Sequence, residues 1–83
     1  MVSRRIEIPK STLKKFYSQS PSSADKDVVK ATLKSISENP DIGEEVPFQQ
    51  YQDAYVVWGG PWRILYQKGN PVIHVLQIER ESS

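Results

Sequence analysis

Arg63 is the side chain with the clearest chemical use. It stands in Gly59-Gly60-Pro61-Trp62-Arg63-Ile64-Leu65-Tyr66, where two glycines and a proline make a turn and a strand-like run then carries a cation between large apolar residues. A guanidinium is planar, permanently charged and forked, which suits phosphate. In an RNA-cleaving site it would stabilise the extra negative charge of a phosphorus-centred transition state. The alternative is an ion pair with Asp53, Glu79 or a C-terminal carboxylate. His74 and Arg80 follow in the last strand-like run. Imidazole titrates near neutrality, so His74 is a candidate general base, or else a half-buried, hydrogen-bonded strand residue. Tyr51, Tyr55, Trp58 and Trp62 supply aromatic surface, for stacking on bases or for the core.

Other chemistries have little to work with. No Gly-rich phosphate loop ends in Lys-Ser or Lys-Thr. One histidine and no cysteine leave a zinc site short of its usual ligands. No serine stands in a nucleophile-elbow context. Glu44 and Glu45 are adjacent carboxylates, but they fall in a polar stretch that reads as a solvated loop. No cofactor and no metal are expected.

The elements that must position Arg63 follow from periodicity. Arg4, Ile6 and Ile8 alternate with Arg5 and Glu7 and stop at Pro9, as in a short edge strand. Ser11 is placed to cap a helix whose face is Leu13, Phe16 and Tyr17. Ser22 and Asp25 have the spacing of a capping box for a longer helix with a stripe of Val29, Leu33 and Ile36, widened by Val28 and Thr32. That helix ends at Asn39-Pro40. The segment Asp41–Asp53 reads as a loop. Ala54–Trp58, Trp62–Lys68 and Val72 to Ile78 or Glu79 read as strands joined by tight turns, hence an antiparallel meander. The expectation is one α+β domain over residues 1–83: a short N-terminal strand, an αα-hairpin and a three-stranded antiparallel meander, with both helices on one sheet face and the other face open. Alternation puts Trp62, Ile64 and Tyr66 toward the helices and Arg63, Leu65 and Gln67 away. In the last strand ideal alternation groups Val72, His74, Leu76, Ile78 and Arg80, but both faces are apolar and a bulge would regroup them.

Composition bounds the rest. The chain has 83 residues, 37% hydrophobic and 25% charged, in the range of a soluble globular domain. No run approaches the roughly 20 apolar residues of a membrane span, and the basic N-terminus lacks a signal-peptide apolar region. A cytoplasmic location is expected. Residues 1–34 carry eight basic and three acidic side chains, and residues 35–83 carry three basic and seven acidic ones. The halves therefore have net charges of +5 and −4. Lys26, Lys30 and Lys34 recur every four residues, which is either a solvated helix face or a basic surface for RNA or an acidic protein.

Taken together, the order of elements and several short motifs resemble the RelE/ParE toxin superfamily of bacterial type II toxin–antitoxin systems. Ile6-Glu7-Ile8-Pro9-Lys10 is similar to its opening strand and Leu13-Lys14-Lys15-Phe16-Tyr17 to its first helix. Leu33–Pro40 resembles the end of its second helix. Pro61-Trp62-Arg63-Ile64-Leu65-Tyr66 resembles its Gly-aromatic-Arg-aliphatic-aliphatic-Tyr signature, and Val75-Leu76-Gln77-Ile78-Glu79-Arg80 its final strand and terminal basic motif. The resemblance implies a RelE-like fold and a toxin neutralised by an antitoxin that wraps around it. In the RelE branch the toxin enters the ribosomal A site and cuts mRNA by metal-independent attack of a 2′-hydroxyl on the adjacent phosphate. In the ParE branch the target is DNA gyrase and the toxin is not a nuclease. Arg63 matches the family arginine, Arg80 the terminal basic motif, and His74 stands in for a general base. Active ribonuclease members commonly carry lysines or a glutamate on the strand before the signature. Here that strand, Ala54-Tyr55-Val56-Val57-Trp58, has no charge, which keeps open a second reading as a non-nuclease binding module.

Overall fold

A computed structural model describes residues 4–47, 53–69 and 72–81. The chain is an α+β domain with two helices and a five-stranded mixed sheet. The elements are β1 (Arg5–Glu7), α1 (Lys10–Ser18), α2 (Ser23–Glu38), a 3-10 turn (Pro40–Ile42), β2 (Glu44–Glu45), β3 (Ala54–Gly59), β4 (Trp62–Gln67) and β5 (Val72–Arg80). The strand order is β1-β5-β4-β3-β2. The β2-β3-β4-β5 ladder is antiparallel, and β1 adds to β5 in parallel. The expected meander is therefore the centre of a larger sheet. The short β2 lies inside the stretch read as a loop, because Glu44 and Glu45 pair with Val56 and Tyr55 although nothing in their side chains signals a strand. The expected first strand does lie at a sheet edge.

The helices form largely where local chemistry puts them. At the start of α2 the Ser22 hydroxyl accepts from the Asp25 backbone N–H, and the Asp25 carboxylate accepts from the Ser22 N–H at 2.9 Å. This closes the expected capping box. The start of α1 differs. Its cap position is Pro9, with no side-chain cap, and Ser11 lies inside the helix. Proline has the fixed φ that suits a helix entry, so the helix begins before the serine. Tyr17 also departs from expectation: it is 56% exposed, while Phe16 beside it is buried.

One core holds both helices to one sheet face. Phe16 from α1 and Val29 and Ile36 from α2 join Trp62, Ile64 and Tyr66 from β4 and Ile73, Val75 and Ile78 from β5 in a single buried cluster. Phe16 meets the Trp62 ring edge-on, with centroids 5.0 Å apart. Gly59 lets β3 lie directly under α2, since a Cβ there would run into the Thr32 hydroxyl. Gly60 has φ +59°, and with Pro61 it makes the two-residue hairpin that delivers β4 in register.

β5 has an extra residue. Leu65 pairs with Gln77 and Tyr66 with Val75, so Leu76 has no partner on β4 and forms a bulge. Ile73, Val75, Ile78 and Arg80 consequently face the helices, and His74, Gln77 and Glu79 face away. This corrects the ideal alternation, which put His74 with Ile78 and Arg80. β1 covers only the first part of β5, where Arg5, Ile6 and Glu7 pair with Val72, Ile73 and His74. Beyond it α1 takes over. Thr12 Oγ1 donates to the Leu76 carbonyl, Gln19 Nε2 donates to the Ile78 carbonyl at 3.0 Å, and the Arg80 N–H donates to Gln19 Oε1 at 3.0 Å.

Tyr66 is fully buried, and its hydroxyl ties the 3-10 turn to the sheet. It donates to the Pro40 carbonyl at 2.6 Å and accepts from the Gly43 N–H at 3.2 Å. Burial is the main force raising the Tyr66 pKa above its ordinary value of 10.0, so the phenol stays protonated and able to donate. Tyr66→Phe removes the hydroxyl and leaves a buried carbonyl and an N–H without that partner. The expected loss is about 1–3 kcal/mol of unfolding free energy, read as a lower urea midpoint at unchanged m-value.

Candidate functional site

β3, β4 and β5 bring three residues side by side on the face turned away from the helices. Trp58 pairs across the ladder with Arg63, and Arg63 pairs with Glu79. With Arg80 and Glu81 they line a cleft of about 330 Å³ at the end of the sheet. The Pro61 carbonyl accepts from the Glu81 N–H at 2.8 Å, which extends the sheet to the rim of the cleft. Trp58 is 51% exposed although it is among the largest apolar side chains in the protein.

Arg63 has the expected orientation, and it also has one of its expected partners. Its Nη2 lies 3.1 Å from Glu79 Oε1. The second carboxylate oxygen, Oε2, lies 3.0 Å from Lys15 Nζ. Lys15 comes from α1, which lies along the uncovered edge of β5, so a cation from the helical layer reaches round to the far face. Glu79 is held below the usual glutamate range first by the Lys15 hydrogen bond, with further help from Arg63, against the opposing effect of partial burial. It is thus an ionised acceptor shared by two cations. The Arg63 side chain remains 43% exposed, so the pair is solvated and a competing anion can approach it.

Arg80 lines the same cleft but turns the other way. Its guanidinium lies over the Trp62 ring, 4.8 Å from the centroid, and its Nη2 contacts Asp25 Oδ2 at 2.9 Å. Asp25 is held below its ordinary range first by the Ser22 backbone N–H and next by the Trp62 indole, with Arg80 adding a smaller attraction. Among the described residues no acceptor meets the buried Trp62 N–H at full hydrogen-bonding geometry, so the indole acts on Asp25 as a nearby dipole. Arg80 therefore secures the start of α2 against the end of β5.

His74 stands apart. It pairs with Gln67 at the far end of β4, about 15 Å along the strand from Glu79. Its Nδ1 is 3.8 Å from a Glu7 carboxylate oxygen, and its side chain is about half-exposed. The three residues singled out from sequence thus separate: Arg63 in the cleft on the open face, Arg80 at the rim facing the helices, His74 at the other end of the sheet. The far face is also less open than expected. Leu65 is only 3% exposed, and Val46 and Pro47 line the recess in which it lies.

Of the aromatic residues, Trp62 is core, and Tyr55 stacks on Tyr66 with Lys68 over its ring at 4.9 Å. Tyr51 lies outside the described residues. Lys15 is the site residue that the sequence did not single out, while Glu79 was one of three partners open to Arg63. Glu79 was visible as an exposed-phase position once the bulge is known, whereas nothing in Leu13-Lys14-Lys15 marks which lysine crosses the sheet edge. Among the described residues no group of three or more His, Cys, Asp or Glu side chains could hold a metal ion, and no helix is long and apolar enough to cross a membrane.

Comparison with known proteins finds no matching family model, no matching curated protein and no matching solved structure.

Because the folded-state pKa of Glu79 is depressed, its ion pairs stabilise the fold fully above the ordinary glutamate value of 4.5 and lose that contribution as pH falls through the lower folded value. Glu79→Gln removes this proton uptake. On moving from pH 7 to pH 3, the parent protein is expected to lose more urea stability than the variant.

Proposed function

We propose that the chain is a RelE-like toxin of a type II toxin–antitoxin system, acting as an endoribonuclease on ribosome-bound mRNA without a metal ion. One observation carries the reading: Arg63, on the strand at the centre of the sheet, presents a half-exposed guanidinium in a cleft beside an exposed tryptophan. In the proposed reaction a ribose 2′-oxygen forms a bond to the neighbouring phosphorus, the bond to the 5′-oxygen breaks, the 2′ proton leaves to a base and the 5′-oxygen gains one. Arg63 would hold the phosphate and stabilise the added charge. Glu79 is the ionised carboxylate nearest that position and is the better-placed proton acceptor, since His74 lies at the far end of the sheet. A cognate antitoxin is the partner on this reading.

A second reading has its own support. Arg63 is engaged by Glu79, and β3 presents no charge to the cleft. Both features suit a non-nuclease homologue that binds an antitoxin or inhibits DNA gyrase. The readings separate by mapping mRNA ends on translating ribosomes. The parent protein is expected to produce codon-phased ends, and Arg63→Ala to reduce them by about 100-fold or more, the scale of losing one transition-state donor. Absence of phased ends with the parent protein rejects the nuclease. Inhibition of gyrase supercoiling would then favour the second reading.

A further inference from the structure

Among the described residues Trp58 joins neither the buried core cluster nor a ring pair. It is half-exposed on a strand whose other aromatic, Tyr55, is stacked against the core side of the sheet. Its cross-strand neighbour is the cation Arg63. Directly opposed residues on a ladder have Cβ atoms about 5 Å apart, comparable to the step from a nucleobase to its own phosphate.

The charges in the cleft narrow what can bind there. Arg63 and Arg80 are opposed by Glu79 and Glu81, so the lining is formally neutral. Arg80 is committed to Asp25 and the Trp62 ring. A polyanion therefore gains little from the cleft as a field. It has one such cation to contact, and that cation already holds a carboxylate through Nη2. Affinity must come from a part of the ligand that is not charged, and the uncharged surface on offer is the indole of Trp58.

We propose that Trp58 is the stacking platform for one unpaired RNA base, with the phosphate of that nucleotide displacing Glu79 from Arg63. Lys15 keeps its bond to the other Glu79 oxygen, so the displaced carboxylate stays anchored and returns when the ligand leaves. Single-stranded RNA is the ligand class, because a base inside a duplex has no free face to stack. The site is a sequence-tolerant, one-nucleotide contact, and Trp58 determines how the substrate is seated. This inference deepens the RNA-cleaving reading and rests on it for the choice of RNA, but it is tested by binding alone.

The experiment is equilibrium binding of a single-stranded oligoribonucleotide hexamer and of an abasic ribose-phosphate oligomer of the same length, using the parent protein, Trp58→Ala, Trp58→Phe and Glu79→Gln. The hexamer is expected to bind at least ten-fold more tightly than the abasic oligomer, and Trp58→Ala to weaken it about ten-fold while leaving the abasic oligomer unchanged. Trp58→Phe should retain most of the affinity, and Glu79→Gln should strengthen both oligomers. The salt dependence should be shallow, with a slope of about −0.7, the value for one phosphate on a single strand. Equal binding of the two oligomers, a steep slope independent of Trp58, or no binding at all overturns the proposal. Base-dependent binding without codon-phased cleavage would sustain Trp58 as a stacking site and reject the nuclease; phased cleavage without Trp58-dependent binding would do the reverse.

Discussion

The unpaired residue Leu76 in β5 sets the geometry of the candidate site. Without the bulge, strict alternation would carry His74 and Arg80 on one face. With it, the last three residues of β5 change sides relative to the first three. Glu79 arrives opposite Arg63, and Arg80 arrives over Trp62 and beside Asp25. One inserted residue thus decides which cation is neutralised by a carboxylate in the cleft and which is used to hold a helix. The bulge is also where α1 first bonds to the strand, through Thr12, so the irregularity and the helix that covers it belong to one arrangement.

Much of the frame was legible because its causes are local. The box formed by Ser22 and Asp25, the proline stop after Asn39 and the Gly60-Pro61 turn each act over a few residues, and the side chains themselves state the conformation. The core face of β4 was legible for the same reason, since Trp62, Ile64 and Tyr66 share one face while Arg63 and Gln67 mark the other, which also carries Leu65. Local signals also misled twice. Ser11 looks like a cap, yet Pro9 starts the helix earlier. Tyr17 has the right spacing for the core, but Phe16 fills that space and leaves Tyr17 beside Lys26, 5.6 Å from its ring.

What could not be read depends on contacts distant in sequence. The parallel pairing of β1 with β5 joins residues more than sixty positions apart, and β2 is two glutamates whose strand character comes from β3 alone. The bulge was hidden because Val72, Leu76 and Ile78 are as apolar as Ile73 and Val75, so either register buries a hydrophobic set. The site inherits this difficulty. Arg63 could be placed from its own strand and Glu79 named among its possible partners, but the choice of Glu79 and the distance of His74 follow from the register of β5, and the approach of Lys15 from the packing of α1 beside it.

The amide of Gln19, which donates to one β5 backbone group and accepts from another, has a consequence for recognition. A bare strand edge invites a foreign chain to extend the sheet. Here the part of β5 beyond β1 has that invitation withdrawn, because a single side chain reproduces both halves of a ladder step. Among the described residues the outermost strands are β1, three residues long, and β2, two residues long and doubly acidic, with residues 57–59 of β3 extending past β2. Neither offers a long template. A peptide or protein that meets the domain on this side must therefore recognise side chains rather than prolong the β5 ladder, and its specificity there would be written in shape and charge.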